Sequence, residues 1–359
     1  MEFGLSEEQI MLQESVDRFL QDTCPLDRVR ELALEGAVHD DTLWKGMAEL
    51  GVTGLLVPEQ FGGLGMSLLD AILVQEMLGR HVCPVAFTAT SVLAAIALTR
   101  SENEPLKQRY LPAIAEGSLQ VAVALSEQTG VRTGAGLTIC DDKLTGNVLF
   151  ALGAPNATLV LVSGPDNGMY AVESNASGFE RQTLRSIDDT QVLAEFRFSD
   201  TPAQVLGTDD ALADKLVDAG RVMLAADTLG AAQCMIEKAV EYAKERKQFN
   251  RVIGSFQAVK HMCAEMAAGL EPCRSLVWYA AHAFDAIPEE SRLTACHAKA
   301  HCSEVGQFVA RTSTEVHGGM GFTDLMGLHY WFKRIGFNRQ LLGSPERARE
   351  DAAKAQGWI

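Results

Sequence analysis

The stretch EYAKERKQFNRVIGSFQAVKH, residues 241–261, joins the end of one long helical pattern to the start of the next. It concentrates cations in a chain where 47 Asp and Glu outnumber 31 Lys and Arg. These cations are Lys244, Arg246, Lys247, Arg251 and Lys260. Arg supplies a rigid fork of donors for phosphate oxygens, and Phe249 and Phe256 could pack beside a planar ring. The stretch therefore predicts a phosphate site, while a basic helix end that complements the helix dipole remains the alternative.

The pattern on both sides of this stretch is that of long helices with short connections. Apolar periodicity predicts helices at about residues 209–246, 254–286, 289–316 and 325–341. HGGMGF, residues 317–322, connects two of them, and its paired glycines would let a ligand approach the backbone closely. A Gly-Gly pair between helices is also an ordinary connection. Long helices with short loops predict an antiparallel bundle over residues 208–359.

Two more domains are predicted before the bundle. Ser6 followed by Gln9 is typical of a capping box that opens a first helix, and helical patterns continue to about residue 116. The sequence pattern then changes to short apolar runs typical of β-strands, which are separated by segments rich in turn residues. These runs are VAVAL (121–125), ATLVLVS (157–163) and LAEFRFS (193–199). The sequence therefore predicts a helical domain over residues 1–116 and a β domain over residues 117–207.

Charge and composition exclude several classes of protein. The formal net charge of −16 would repel nucleic acid and anionic membranes, so any anionic ligand needs a local basic site. No window approaches 18 uninterrupted apolar residues, which argues against a transmembrane span. The eight cysteines form no CxxC pair, and MEFGLSEEQI shows no charged leader before an apolar stretch. We therefore expect a reduced, cytoplasmic protein.

Other common catalytic motifs are missing from the sequence. It contains no GxGxxG after a strand, no GxxxxGK[ST] and no GxSxG, which disfavours Rossmann, P-loop and serine-hydrolase functions. His297 and His301 lie four residues apart on a predicted helix and could share one face as zinc ligands do. Because no third ligand can be placed beside them, we predict no metal site.

The order of the domains, together with RKQFNRVIGSFQAVKH and EVHGGMGFT in the bundle, resembles the acyl-CoA dehydrogenase family. PEQFGGLGMS, residues 58–67, also looks like a loop of the family's N-terminal domain. The resemblance runs through nearly the whole chain. It implies an α+β fold with an N-terminal helical domain, a middle β-barrel or sandwich domain and a C-terminal antiparallel four-helix bundle.

The same resemblance implies a cofactor and the residues that bind it. In this family FAD lies between the β domain and the bundle, and a neighbouring subunit's bundle grips its diphosphate and adenosine. The residues that match the family's flavin segments are Arg246, Lys247, Gln248, Phe256, Gln257, Gly318 and Gly319. Glu315 is a departure, because the family usually has Gln there, and a carboxylate near a diphosphate is unfavourable unless it points away or is protonated.

The family's catalytic base has no counterpart in this sequence. The reaction removes the C2 proton of an acyl thioester with a carboxylate while C3 passes hydride to the flavin. Aligned on Gly343 and Ser344, the usual Glu position holds Leu342. The second known position, just before Arg221, holds Gly220. The resemblance therefore implies no catalytic residue at either position.

The flavin face of the β domain departs from the family as well. The family's TEPxxGSD becomes SEQTGVRTG at residues 126–134, and its Trp-Ile-Thr-Asn becomes Phe150, Ala151, Leu152 and Gly153. The hydroxyl that normally meets flavin N5 would be lost at Leu152. The altered pieces belong to one active site, whereas the segments that serve a neighbour's flavin remain recognisable.

This asymmetry predicts the base-lacking subunit of a heteromeric acyl-CoA dehydrogenase, of the kind bacteria use on steroid side-chain thioesters. The expected partners are a homologous subunit in an α2β2 heterotetramer, an acyl-CoA substrate, and electron-transfer flavoprotein or a similar acceptor. One alternative is a self-sufficient homo-oligomer with a relocated base, for which Glu346, Asp218 and Glu315 are the nearest candidates. Another is a non-redox thioester-binding or scaffold protein.

Overall fold

The computed structural model describes residues 4–36, 39–130, 135–153, 155, 157–207 and 211–359. Helices come first along the chain, a sheet follows, and helices return, which confirms the predicted α+β fold. The contacts divide the chain into two compact units that each combine separate stretches. The first unit is Met1–Glu31, Ile72–Cys83 and Val222–Ile359, and the second is Leu32–Ala71 and Pro84–Arg221. The division into three consecutive domains stays a prediction.

The first helices begin at residues that favour helix starts. The Ser6 hydroxyl accepts a hydrogen bond from the Gln9 amide at 3.2 Å, and the Gln9 side chain accepts one from the Ser6 amide at 3.1 Å. This confirms the predicted capping box. The helices of this part are α1 (Glu7–Thr23), α2 (Leu26–Glu35), α3 (Asp41–Glu49), α4 (Leu68–Arg80), a π-helical segment (Thr88–Ala94), α5 (Ala95–Thr99) and α6 (Glu104–Ala115).

The sheet lies in the second unit and contains one parallel pair. Its strands are β1 (Val121–Ala124), β2 (Gly136–Cys140), β3 (Lys143–Leu152), β4 (Leu159–Ser163), β5 (Met169–Glu173), β6 (Phe179–Leu184), β7 (Leu193–Pro202) and β8 (Gln204–Gly207), with the short helix α7 (Ser126–Thr129) after β1. The strand order is β6-β7-β3-β1-β4-β5-β8, and β2 pairs with β3. Strands β1 and β4 run parallel, with Val121 opposite Leu159. Both are buried along their length, as continuous apolar runs predict.

The core of this sheet is apolar, and one threonine ties it to a neighbouring helix. The core side chains include Val148, Val160, Phe196 and Phe198. The Thr90 hydroxyl, on the π-helical segment, accepts a hydrogen bond from the Val121 amide at 3.0 Å and contacts its carbonyl oxygen at 3.2 Å. This side chain therefore anchors the π-helical segment to β1.

The C-terminal helices belong to the first unit, except that the part of α8 up to Arg221 belongs to the second. They are α8 (Leu212–Glu245), α9 (Gln257–Ala286), α10 (Pro288–His317), α11 (Leu328–Gln340) and α12 (Pro345–Ala355), and the two-residue strands β9 (Lys247–Gln248) and β10 (Arg251–Val252) lie between α8 and α9. Proline at the first position of α10 suits a helix start, because it lacks an amide proton that would have no partner there. Within the described residues no helix is long and apolar enough to cross a membrane.

A buried polar network holds the helices of the first unit in register. The Asp227 carboxylate accepts hydrogen bonds from Gln75 at 2.6 Å, Asn338 at 2.6 Å and Arg334 at 3.2 Å. The Lys299 ammonium donates to the Asn338 carbonyl oxygen. Because these groups are buried, each charge depends on its partners, and the network specifies how α4, α8, α10 and α11 meet.

Candidate functional site

A small hairpin after α8 positions the basic stretch that the sequence singled out. Gln248 pairs with Arg251, and Lys247 pairs with Val252. The two residues between the strands, Phe249 and Asn250, have φ values of 52° and 61°. Two consecutive positive φ values are the geometry of a type I′ turn, which joins two antiparallel strands tightly. The sequence predicted only a connection here.

Arg246 has a fixed backbone and an unpaired side chain. Its amide donates to the Tyr242 carbonyl at 2.8 Å, and its carbonyl accepts from the Ile253 amide at 2.7 Å. Among the described residues no carboxylate forms an ion pair with its exposed guanidinium, whereas Lys244 pairs with Glu241 at 2.6 Å. The charge of Arg246 is therefore available to a ligand or a partner.

The paired glycines at the end of α10 face open space. Gly318 has a φ of +58°, which favours glycine, but a Cβ at Gly318 or Gly319 would meet nothing within 4 Å. A Cβ at Gly321 would instead lie 2.6 Å from the Thr314 carbonyl oxygen. Packing within the chain thus explains Gly321 but not Gly319. The missing side chain at Gly319 leaves its backbone open to a group from outside the chain.

Residues of both segments line one pocket of about 450 Å³. The lining residues are Tyr242, Arg246, Gln248, Ile253, Val316, His317, Gly318, Gly319 and Met320. The Tyr242 and His317 rings stack with their centroids 4.5 Å apart. Nδ1 of His317 donates to the Ser313 carbonyl at 2.8 Å, and burial lowers the pKa of this histidine. At neutral pH, the pocket is therefore lined by an uncharged His317 ring and by the positively charged Arg246 side chain.

The structure gathers some of the predicted flavin residues and not others. Arg246, Gln248, Gly318 and Gly319 line the pocket, while Lys247, Phe256 and Gln257 lie outside its lining. The Arg251 guanidinium lies 3.9 Å from the centre of the Phe256 ring, and Gln257 contacts His261 at 2.8 Å. Sequence reasoning missed Tyr242 and His317. Their signals were present, because Tyr242 is one helical turn before Arg246 and His317 precedes Gly318.

The two positions that the sequence analysis predicts to align with the family's base contain no carboxylate. Leu342 is buried and has a φ of 55°, and Gly343 follows with a φ of 99°. Gly220 lies inside α8, next to the fully buried Arg221. Neither position can accept a proton through its side chain. That these positions align with the family's base remains a prediction.

The candidates for a relocated base lie in different surroundings. The Glu346 side chain is exposed in the first turn of α12 and pairs with Arg339 at 3.2 Å. Its pKa is lowered, and the largest cause is the hydrogen bond with the Ser344 side chain. Asp218 is buried on α8, in the second unit. Glu315 is exposed in the last turn of α10. The three carboxylates therefore do not share one environment.

The altered segments of the β domain are only partly described. Residues 131–134 of the predicted flavin loop lie outside the described residues. Phe150 is half exposed with a φ of 57° where the pairing of β3 with β7 is irregular. A Cβ at Gly153 would lie 2.7 Å from the Val121 carbonyl oxygen, so packing against β1 already requires that glycine.

The histidines considered as zinc ligands do not join a cluster. His297 and His301 are both exposed on α10. Across the part of the chain that the structure describes, no group of three or more His, Cys, Asp or Glu could hold a metal ion. The eight cysteines are all described, and all are free thiols.

Sequence comparison finds two family models on this chain. A model of the acyl-CoA dehydrogenase N-terminal domain matches residues 6–118, and a model of the C-terminal domain matches residues 211–357. Among curated relatives, the acyl-CoA dehydrogenase IpdE2 of Mycobacterium tuberculosis is 29% identical over 342 residues. That alignment covers 94% of this chain and 94% of the relative.

Solved structures with the same fold include one described as a steroid ACAD and one described as a complex of two proteins. The Tcur3481-Tcur3483 steroid ACAD variant superposes with a TM-score of 0.89 at 28% identity, over 98% of each chain. The ChsE4-ChsE5 complex from Mycobacterium tuberculosis contains a chain that superposes with a TM-score of 0.92 at 25% identity, over 100% of each chain. The whole length of the chain therefore matches single chains of these proteins.

Proposed function

The chain belongs to the acyl-CoA dehydrogenase family, and from this premise we propose that it is the base-lacking subunit of a heteromeric enzyme. Acyl-CoA dehydrogenases are FAD-dependent oxidoreductases. In this proposal a homologous partner supplies the carboxylate base and the main flavin pocket, and this chain completes the partner's FAD site. One observation carries the proposal. The unpaired Arg246 and the open glycines 318 and 319 form one pocket, while Leu342 and Gly220 occupy the base positions.

The pocket has the chemistry that a nucleotide diphosphate requires. The Arg246 guanidinium offers paired donors and a charge, and Gln248 adds an amide. The open backbone of Gly318 and Gly319 admits a phosphate oxygen without a side chain in the way. The residues that would hold the diphosphate of FAD are therefore Arg246, Gln248, Gly318 and Gly319.

The chemical role of this chain in the proposal is binding and orientation. FAD, when bound, accepts the hydride that leaves C3 of the acyl thioester. Arg246 and Gln248 hold the diphosphate end in place, which fixes the cofactor relative to the partner's base. No proton transfer is assigned to this chain, because general-base catalysis needs a group that can take the C2 proton.

The heteromeric arrangement and the substrate class rest on the solved neighbours. One of them is described as a steroid ACAD and another as a complex of two different chains. By extension, we propose that the substrate of the complex formed by this chain is a bulky acyl-CoA such as a steroid side-chain thioester. Electron-transfer flavoprotein or a similar protein is the proposed acceptor.

Arg246→Ala in the co-expressed complex tests the diphosphate site. A charge-assisted contact to phosphate contributes about 1.5–3 kcal/mol, so FAD affinity should fall roughly tenfold to a hundredfold. The measurement is FAD content and dissociation constant after gel filtration. Gly319→Ala should also weaken FAD binding, because the new methyl group enters the pocket.

Arg18→Ala is the matched control, because Arg18 is exposed on α1 and forms no ion pair among the described residues. It should leave FAD binding unchanged. If Arg246→Ala left FAD affinity unchanged, the basic cluster would be a solvated helix end with no role in FAD binding.

Asp218→Asn and Glu346→Gln test the alternative of a self-sufficient enzyme. A large loss of turnover with FAD retained would place the base on this chain.

A further inference from the structure

Two aromatic rings join the segments that carry the residues of the proposed diphosphate site. The Tyr242 and His317 rings lie with their centroids 4.5 Å apart at an angle of 26°. The Tyr242 carbonyl oxygen accepts a hydrogen bond from the Arg246 amide at 2.8 Å, and His317 directly precedes Gly318. Both residues also line the pocket. Each ring is therefore attached to backbone that adjoins a proposed contact of the ligand.

A second contact joins the same two helices. The Ser313 hydroxyl of α10 donates to the Met235 carbonyl oxygen of α8 at 2.8 Å. Met235 lies about two helical turns before Tyr242, and Ser313 lies about one turn before His317. Helices α8 and α10 are thus joined at two levels, and the aromatic pair is the level next to the pocket.

The imidazole of His317 is oriented by one nitrogen and left without a partner at the other. Nδ1 donates to the Ser313 carbonyl oxygen at 2.8 Å, which fixes the ring against the preceding turn of α10. Nε2 is buried and has no hydrogen-bond partner among the described residues. A buried polar atom without a partner destabilises a fold, and a phenyl ring would stack on Tyr242 without that cost. Folding stability alone therefore does not account for a histidine here, whereas a need to hold the ring in one orientation does.

We propose that Tyr242 and His317 are positioning residues, which hold Arg246 and the backbone of Gly318 and Gly319 at the spacing that lets both segments contact one diphosphate. This inference rests on the proposed function of the pocket. A guanidinium forms its paired hydrogen bonds with one phosphate group, so the second segment has to lie within reach of the remaining oxygens. Segments that are fixed before the ligand arrives lose less conformational entropy on binding, and this preorganisation raises affinity. The stacked pair therefore acts on FAD through Arg246 and the two glycines.

Substitutions of Tyr242 in the co-expressed complex test this role. Tyr242→Leu removes the stacked ring, so FAD affinity should fall about threefold to tenfold, as expected for the loss of an aromatic pair. Tyr242→Phe retains the ring and should bind FAD as the wild type does. His317→Phe keeps a ring but loses Nδ1, and it should weaken FAD binding about threefold. The measurements are the FAD dissociation constant and dissociation rate, at a temperature where unfolding curves show every variant to be folded.

A double variant separates positioning from a structural role. In the Arg246→Ala background, Tyr242→Leu should cost clearly less FAD affinity than it costs alone, because a residue that acts through Arg246 loses that effect with it. Ile335→Val is the matched control for lost stability, since Ile335 is buried on α11, outside the pocket lining, and this substitution has a comparable cost in stability. It should leave FAD affinity unchanged.

Equal losses in Tyr242→Leu and Tyr242→Phe, additive losses in the double variant, or an unchanged affinity in Tyr242→Leu would each overturn the positioning role. If Tyr242→Leu does not assemble, His317→Phe decides, and an unchanged FAD affinity in that variant overturns the proposal. Unchanged affinity in Arg246→Ala would instead overturn the proposed diphosphate site itself.

Discussion

At the scale of single residues, His317 shows how burial sets the chemistry of the pocket lining. Its Nδ1 donates to Ser313, its ring stacks on Tyr242, and its side chain is almost fully buried. Burial is the largest cause that lowers its pKa, and the nearby Lys238 acts in the same direction. The sequence shows that His317 precedes two glycines. The burial of its ring and its stacking on Tyr242 depend on the packing of α10 against α8, which the sequence pattern could not predict.

The lowered pKa of His317 makes stability depend on pH. As the pH falls through about 6.5, the unfolded chain takes up a proton that the folded chain resists, so the free energy of unfolding decreases. One such histidine contributes at most about 1.4 kcal/mol per pH unit. His39 and His81 should add to the effect, because burial lowers the pKa of each.

Urea unfolding between pH 7.5 and pH 5.5 measures this dependence. His317→Gln should make the loss of stability on acidification shallower, whereas His297→Gln, at an exposed position on α10, should leave it as in the wild type. Equal slopes in all three proteins would show that His317 is protonated as easily in the folded chain as in the unfolded chain.

At the scale of elements, two glycines set how closely α4 and α8 cross. A Cβ at Gly79 would lie 2.1 Å from the Asp227 carbonyl oxygen, and one at Gly230 would lie 1.8 Å from the Glu76 carbonyl oxygen. Both obstacles are backbone atoms, which cannot rotate away. The two helices therefore approach each other at a distance that only glycine permits.

Gly230→Ala should destabilise the chain by about 3 kcal/mol, the upper end of the usual cost of overpacking. Gly336→Ala in α11 is the matched control, because its Cβ would meet nothing within 4 Å. It should be neutral or raise stability by about 0.5–1 kcal/mol, as expected for a helical glycine. Thermal and urea unfolding measure the stabilities of both variants. Equal stabilities would contradict the close crossing of α4 and α8.

The elements that the sequence predicted are those with a strong apolar pattern. The long helices α8, α9 and α10 end within a few residues of their expected bounds, because their periodicity extends over many turns. Strand β6 was not predicted, since half of its residues are exposed, none is buried, and the strand gives no apolar run. The hairpin of β9 and β10 was missed because two-residue strands are too short to show a pattern.

At the scale of the whole molecule, the sequence predicted the family and the order of helices and strands, while its division into three consecutive domains stays a prediction. The first compact unit includes Ile72–Cys83 together with the C-terminal helices. Contacts between segments so distant in sequence arise from tertiary packing, which local periodicity does not contain. The proposed function likewise concerns the assembly, because it assigns the nucleotide pocket to this chain and the catalytic base to a partner.

The most direct test compares the chain purified alone with the chain co-expressed with a homologous subunit that has the Glu at its base position. Native mass and the flavin absorbance spectrum are measured for both samples. We expect a colourless protein or an unstable oligomer for the chain alone, and a mixed oligomer with bound FAD and dehydrogenase turnover for the pair. Stoichiometric FAD and turnover on a homo-oligomer of this chain alone would contradict it.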